Sequence, residues 1–248
     1  VARRIAHEIK NPLTPIQLSA ERIKRKFARQ LDEADAEKLE EMTGVIVRQT
    51  DGLRRIVDEF SKFARMPEPE RRPEDLGDLL RGAILLQDSG QPNVTFRTDL
   101  PRQKMPSELD AGMIGQAFTN LIKNAGEATE SLIQKGAPEG YRPEIRVEGE
   151  IDGNDAVIRI MDNGIGLPED RARLFEPYVT TRNEGTGLGL PIVKKIIEEH
   201  GGTLHLEDAP PFSDGAHRGA MAVVRLPLRP AAEQPQPEFN NENMEKTA

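Results

Sequence analysis

The residues best suited to chemistry open the chain. His7 and Glu8 are adjacent in HEIKNPLTP, and Asn11 follows one helical turn later. A neutral imidazole is a nucleophile near physiological pH, and a neighbouring carboxylate can take its ring proton and hold the reactive tautomer. An amide such as Asn11 makes a poor base but can orient a water. His7, Asn11 and Thr14 are spaced i, i+4 and i+7, so on a helix they form one stripe. Pro12 removes a helical donor just beyond the histidine, which predicts a kink there. A lone histidine is ordinarily a plain surface or core residue; these neighbours make His7 a candidate nucleophile.

Three more clusters lie downstream. In NLIKNAGEA, Asn120, Asn124 and Glu127 are four and three apart and share a helix face, with Lys123 beside them. Two amides and an ammonium suit phosphate oxygens and a hydrated Mg²⁺, although such a stripe can equally be a solvated face. In MDNGIGLPED a strand ends in Asp162, and Asn163-Gly164-Ile165-Gly166 turns the chain away, presenting a carboxylate at a pocket edge. Taken alone, that cluster reads as a hairpin turn. In EGTGLGLPIVKKIIEEHGG, Gly185, Gly187 and Gly189 alternate just before a helix. Glycines let backbone N–H groups approach a ligand, and a helix N-terminus favours anions. The spacing fits neither the dinucleotide fingerprint nor a P-loop.

The elements that position these residues divide the chain. Residues 1–64 read as a helical hairpin with seams Ile9, Leu13, Ile16, Ala20, Ile23, Phe27 and Leu39, Met42, Ile46, Gln49, Leu53, Ile56, Phe60, Phe63. Steps of three and four are the coiled-coil pattern, and Gln49 is its one polar member. The seam puts Ala6 inside and His7 one step past it, facing solvent. Narrow seams predict a second copy of the chain completing a four-helix bundle, in preference to a monomeric bundle packed with other segments. RMPEPERRP interrupts helix with three prolines, so residues 65–75 read as a linker.

Residues 76–228 change texture. Helices are expected at 76–87, within 110–135 and at 191–200, and strands at 94–100, 144–151, 156–161, 203–207 and 220–226. That mixture, without strict alternation, predicts an α+β sandwich with helices on one face of a sheet. Residues 229–248 are Pro, Glu, Gln and Asn with scarcely an apolar side chain, which predicts a disordered tail.

Composition narrows the functions open to these clusters. The 248 residues are 36% apolar and 31% charged, with a net charge of -8, which gives no support to a nucleic-acid binder. Cys 0 excludes disulfides, thiolate metal sites and a cysteine nucleophile, and suits a reducing compartment. No apolar run approaches the roughly 20 residues of a membrane span. The chain starts on Val1 in mid-pattern, and is expected to be the cytoplasmic portion of an inner-membrane-anchored bacterial protein.

HEIKNPLTP resembles the H box of bacterial sensor histidine kinases with a HisKA dimerisation domain, and the three later clusters resemble the N box and glycine boxes of the GHKL ATP-binding fold. Leu174-Phe175-Glu176-Pro177-Tyr178 is similar to the phenylalanine box, and Thr180-Thr181-Arg182 to the nucleotide lid. The resemblance covers about Val1–Leu228 and is nearest to nitrogen-regulation kinases of the NtrY kind. Arg182 stands where many relatives have Lys, and only six residues precede His7. The resemblance implies ATP and Mg²⁺ as cofactors, Asp162 accepting from the adenine amino group and Asn124 ligating the metal. It puts Asn120 and Lys123 near the phosphates, and Gly164, Gly166, Gly185, Thr186, Gly187, Leu188 and Gly189 around the nucleotide. His7 would be autophosphorylated and pass its phosphoryl group to an aspartate of a response-regulator receiver domain. Asn11 matches the position that orients water for the reverse, phosphatase reaction. The rivals are a GHKL ATPase that hydrolyses ATP for conformational work, which would lack the H box, and a silent dimeric scaffold, which would not keep every motif position filled.

Overall fold

The amphipathic first quarter folds as the expected helical hairpin. In a computed structural model, which describes residues 2–63, 66–177, 187–213 and 218–228, helix α1 spans Ala2–Phe27 and α2 spans Glu33–Phe63. Asp32 starts α2, its carboxylate accepting from the Asp35 N–H at 2.9 Å. The two helices lie antiparallel: Lys10 pairs with Asp58, Lys24 with Glu40, and Arg54 donates to Thr14 and Gln17, each at 3.3 Å.

The expected seam is split in α1 and displaced by one residue in α2. Ala6, Leu13 and Ala20 of α1 and Thr43, Thr50 and Val57 of α2, each set spaced by seven, are buried between the helices. Thr43 and Thr50 turn their hydroxyls onto the Leu39 and Ile46 carbonyls of their own helix, so no polar atom is stranded there. The expected seam members Ile9, Ile16, Ile23, Phe27, Met42, Ile46 and Leu53 stay exposed, as does Gln49. The expected kink does not interrupt α1, which runs through Pro12 and Pro15. Both prolines face solvent, where the Glu8 and Asn11 carbonyls deprived of helical donors can be hydrated.

In the remainder, the elements in chain order are β1 (Arg72–Asp75), α3 (Leu76–Gly90), β2 (Thr95–Asp99), β3 (Pro106–Leu109), α4 (Ala111–Gln134), β4 (Glu144–Asp152), β5 (Asp155–Asp162), a 3-10 turn (Ala172–Phe175), α5 (Gly189–Glu199), β6 (Thr203–Asp208) and β7 (Ala220–Pro227). β1 and β3 were not expected. Residues 72–75, read as linker, form β1 and pair antiparallel with β3. Pro73 is compatible with this ribbon because β1 has a neighbour on one side only.

The main sheet has order β2-β4-β5-β7-β6, with β2 and β4 parallel and the other pairs antiparallel. Period-two alternation sends Ile145 and Val147, Ala156, Ile158 and Ile160, and Val224 and Leu226 to one face. They meet Phe118 and Ile122 of α4, Leu76 and Leu80 of α3, and Val193, Ile196 and Ile197 of α5 in one core. This is the expected two-layer α+β sandwich. Phe60 of α2 and Met66 pack against the same core.

Candidate nucleotide pocket and exposed histidine

The alternation of β5 explains where its terminal carboxylate goes. Ala156, Ile158 and Ile160 face the helices, so Asp162 takes the next inward position, where a core hydrophobe would otherwise sit. It is 4% exposed. Its Oδ1 accepts from the Gly164 N–H at 2.8 Å and from the Ala220 N–H at 3.3 Å. Burial pushes its carboxyl up to about 7, against the opposing pull of those two N–H groups. Both bonds end on Oδ1, which leaves Oδ2 as the acceptor available to a ligand.

The turn after Asp162 is forced against α4. The Ile165 N–H donates to the Ala128 carbonyl at 3.1 Å, and a Cβ on Gly164 would stand 2.4 Å from the Ala128 carbonyl carbon. Only glycine fits that approach. Gly166 has φ 79°, in the left-handed region that glycine adopts freely. The contact joins two clusters far apart in sequence. Asp162 lies beside the turn of α4 that follows Asn120, Lys123, Asn124 and Glu127. Asn120, Asn124 and Glu127 are half-buried, which is not how a merely solvated stripe behaves, and Lys123 is exposed with its Nζ 3.6 Å from Glu127.

The third cluster reaches the same region through α5, which packs on α4. Gly187 has φ 68°, Leu188 is fully buried and Gly189 begins the helix. A Cβ on Gly189 would meet nothing within 4 Å, so packing does not demand a glycine there. The start of α5 also lacks a side-chain cap, whereas Asp75 caps α3 and Asp110 caps α4. The backbone N–H groups of a helix's first turn are the kind that hold anions. Phe175 packs on the core beneath α5, with Lys194 Nζ 5.0 Å from its ring centroid. Thr180, Thr181, Arg182, Gly185 and Thr186 lie outside the described residues.

His7, Glu8 and Asn11 sit apart from this pocket, on α1, and all three are exposed. Ala6, their neighbour, is 2% exposed, so the histidine stands just outside the buried seam as its spacing requires.

Two profiles of known families match in this order. Residues 1–69 match the His Kinase A (phospho-acceptor) domain, and 109–230 match the Histidine kinase-, DNA gyrase B-, and HSP90-like ATPase. Nitrogen regulation protein NtrY of Azorhizobium caulinodans is 50% identical over 239 residues, 96% of this chain and 29% of that protein. The chain belongs to the sensor histidine kinases. A putative NtrY-like sensor histidine kinase of Rickettsia felis is 36% identical over 92% of this chain and 36% of its own length. Among solved structures, histidine kinase ThkA in complex with response regulator TrrA is 26% identical, with a TM-score of 0.60 over 92% of this chain and 60% of that one. The chain thus spans about a third of the length of the curated relatives it matches.

Several groups around the pocket of this family member have roles that the sequence reading did not assign. Asn163 Oδ1 accepts from the Tyr141 hydroxyl at 3.1 Å and the Glu144 N–H at 2.9 Å, and its Nδ2 donates to the Arg142 carbonyl at 2.8 Å. It pins the loop before β4 beside Asp162. Burial, with the Asp162 charge adding, pushes the Tyr141 hydroxyl up to about 12. Tyr141 is one of only two tyrosines, which was the one available hint. Gly219 lies so close to Asp162 that a Cβ would stand 1.9 Å from its carbonyl oxygen. The Ala220 donor is backbone, so no residue type announces it. Arg146 steadies the far side of that β6–β7 loop, with its guanidinium 3.9 Å from the Phe212 ring centroid and Nη2 donating to the Phe212 carbonyl at 3.1 Å.

Proposed function

We propose that this chain is the kinase core of a sensor histidine kinase, transferring the γ-phosphoryl group of ATP to His7 and then to an aspartate of a response regulator. The observation that carries the reading is the pairing, on one chain, of an exposed His7 on the hairpin with a pocket whose inward-facing carboxylate, Asp162, keeps one oxygen open. Asp162 Oδ2 accepts from the adenine amino group, and Gly164 and Gly166 let the backbone follow the base. Asn120, Lys123, the glycines at 185, 187 and 189 and the open start of α5 hold the phosphates. Thr180, Thr181, Arg182 and Thr186 belong to the lid.

A ring nitrogen of His7 attacks the γ-phosphorus, an N–P bond forms, the bond to the β–γ bridging oxygen breaks and ADP leaves. Glu8 accepts the ring proton. Lys123 offsets charge on the transferred group, whose passage is chiefly a matter of positioning and electrostatics. The Asn124 amide, half-buried on the α4 face beside Asn120, is an oxygen donor of the kind that would hold a hydrated Mg²⁺. Bound Mg²⁺ would supply further charge neutralisation at the phosphates. The N–P bond of phosphorylated His7 then breaks as an aspartate of the receiver accepts the phosphoryl group. In the reverse regime Asn11 orients water against the phosphorylated receiver.

The exposed row from Ile9 to Leu53 supports a homodimer. It borders an apolar groove lined by Pro15, Ile16, Ser19, Ala20, Ile23 and Ile46, into which the helices of a second copy would pack to complete four. No helix among the described residues is long and apolar enough to cross a membrane. We place this core on the cytoplasmic side of a membrane-anchored protein, because ATP is its substrate.

The test is incubation with γ-labelled Mg·ATP. Acid-labile label is expected on the parent chain and absent from His7→Ala, with ATP affinity within about twofold because nucleophile and pocket are on separate elements. Acid-labile label retained by His7→Ala would identify another acceptor, and ATP turnover without label would identify a hydrolase.

A further inference from the structure

The end of the last glycine motif, Glu199-His200-Gly201-Gly202, has no part in the phosphoryl transfer described above, yet His200 is only 3% exposed. Its two ring nitrogens are both used. Nδ1 lies 2.7 Å from the Ile196 carbonyl, and Nε2 lies 3.0 Å from the Asp110 N–H. Nε2 accepts from an N–H, so the proton is on Nδ1 and points at Ile196. Asp110 is itself divided between two tasks. Its Oδ1 caps α4 through the Met113 N–H at 3.0 Å, and its Oδ2 accepts from the Glu70 N–H at 3.0 Å. The Met113 bond, helped by that of Glu70, holds the Asp110 carboxyl below the usual carboxylate range despite partial burial. Arg71 completes the arrangement by donating from its guanidinium to the Glu199 carbonyl.

Glu70 and Arg71 belong to the segment joining the hairpin to the ATP-binding domain. They are therefore fastened to the N-terminus of α4 and the C-terminus of α5. The middle of α4 carries Asn120 to Glu127, and the opposite end of α5 is the glycine start at Gly189. A helix of 11 residues is a rod of roughly 16 Å. Displacement at one end of α5 must then appear at the other.

We propose that Asp110 and His200 form a latch that fixes the interdomain segment to the two helices bracketing the nucleotide, making them positioning residues for the approach of the ATP-binding domain to His7. This rests on the kinase reading above. The latch sets the point and direction from which the segment leaves the domain. Pro67, Glu68 and Pro69 precede it, and pyrrolidine rings restrict how that stretch can bend. A movement of the hairpin end is delivered to α4 and α5 instead of being lost in slack.

The test uses the whole 248-residue chain. Asp110→Asn keeps an acceptor for Met113 and an equally good cap, but its NH₂ must face the Glu70 N–H. Glu70→Pro removes that donor and fixes φ at position 70, while Glu70→Ala keeps the donor; both lose the carboxylate that pairs with Arg72, so Glu70→Ala is the control for that loss. In Asp110→Asn the Glu70 amide is expected to exchange with deuterium about tenfold faster than in the parent. In Asp110→Asn and Glu70→Pro, kcat for autophosphorylation should fall about threefold or more while KM for ATP stays within about twofold, because alignment is lost and binding is not. Glu70→Ala should behave as the parent. A Glu70 amide in the parent that exchanges at the free-peptide rate overturns the latch. So does an unchanged kcat in Asp110→Asn, or a KM that rises in step with the fall in kcat. A parent that never autophosphorylates overturns the kinase reading and the positioning role with it, and the exchange measurement separates that failure from absence of the latch.

Discussion

Asp162→Asn should weaken ATP binding and strengthen the empty fold at once. The two backbone donors, Gly164 N–H and Ala220 N–H, both end on Oδ1. In the asparagine variant the amide oxygen must stay with them, so NH₂ replaces Oδ2 at the pocket. A donor then confronts the adenine amino group, itself a donor. Losing a hydrogen bond to a charged acceptor costs about 1.5–3 kcal/mol. That is roughly 10- to 150-fold in affinity. Guanine, with an acceptor at the corresponding position, should lose less, so discrimination against GTP should narrow.

The parent should also bind more weakly in acid. With the carboxyl at about 7, only about a tenth of it is ionised near pH 6, so affinity should drop about tenfold from about pH 8, and the asparagine variant should show no such fall. The sign for stability is opposite. A carboxyl raised from 3.8 to about 7 means that the folded state binds more protons than the unfolded one in that interval. Folding stability therefore declines as pH rises across it, by on the order of 4 kcal/mol when fully ionised. Asp162→Asn removes that term and should melt higher than the parent near pH 8 without nucleotide. Calorimetric titration against pH and a thermal melt measure both. Unchanged ATP affinity, or a variant less stable than the parent, would refute the assignment of Oδ2 to the base and of the strain to burial.

The remaining expectations concern the helix face and the glycines. Glu8→Gln should slow autophosphorylation more than receiver dephosphorylation, and Asn11→Ala should do the reverse; equal depression of both reactions would show that neither residue has a separate role. Gly164→Ala drives a Cβ to within 2.4 Å of backbone in α4 and should cost several kcal/mol, on the order of the largest single-site losses, visible in a denaturant titration. Gly189→Ala meets nothing within 4 Å and should leave the melt within a few degrees of the parent while weakening ATP binding in calorimetry.

What could be read from sequence followed periodicity. The heptad placed Ala6 inward and His7 outward, and the long helix and strands of the second half emerged within a few residues of their expected bounds because each carries a core-facing pattern. β1 and β3 escaped because four residues with prolines at 73 and 106 have too little alternation to signal a strand. The seam was misread in one respect. A row of three-and-four spacings does not say which members meet the same chain and which another: in α1 Leu13 and Ala20 turn inward, whereas in α2 the buried positions are Thr43, Thr50 and Val57, each one step past the expected Met42, Gln49 and Ile56. At the pocket, Asp162 and the glycines were visible because side-chain chemistry or its absence marks them. The Ala220 donor, the Gly219 approach and the Asp110–His200 bond depend on chain returning from far away, which no local pattern records.

Among the described side chains, the contact between α1 and α2 is built from Ala6, Ala20, Thr43 and Thr50, with Leu13 and Val57 as its larger buried members. So little apolar area inside one copy gives the hairpin a weak internal melting unit, unlike the sandwich beside it. Dilution should therefore act unevenly on the molecule. Below the dissociation constant of the proposed bundle, the hairpin's share of the helical signal should fade and its midpoint should slide with protein concentration, while the sandwich keeps a concentration-independent transition. One polypeptide would then show two unfolding events, and only the earlier would depend on how much protein is in the cell.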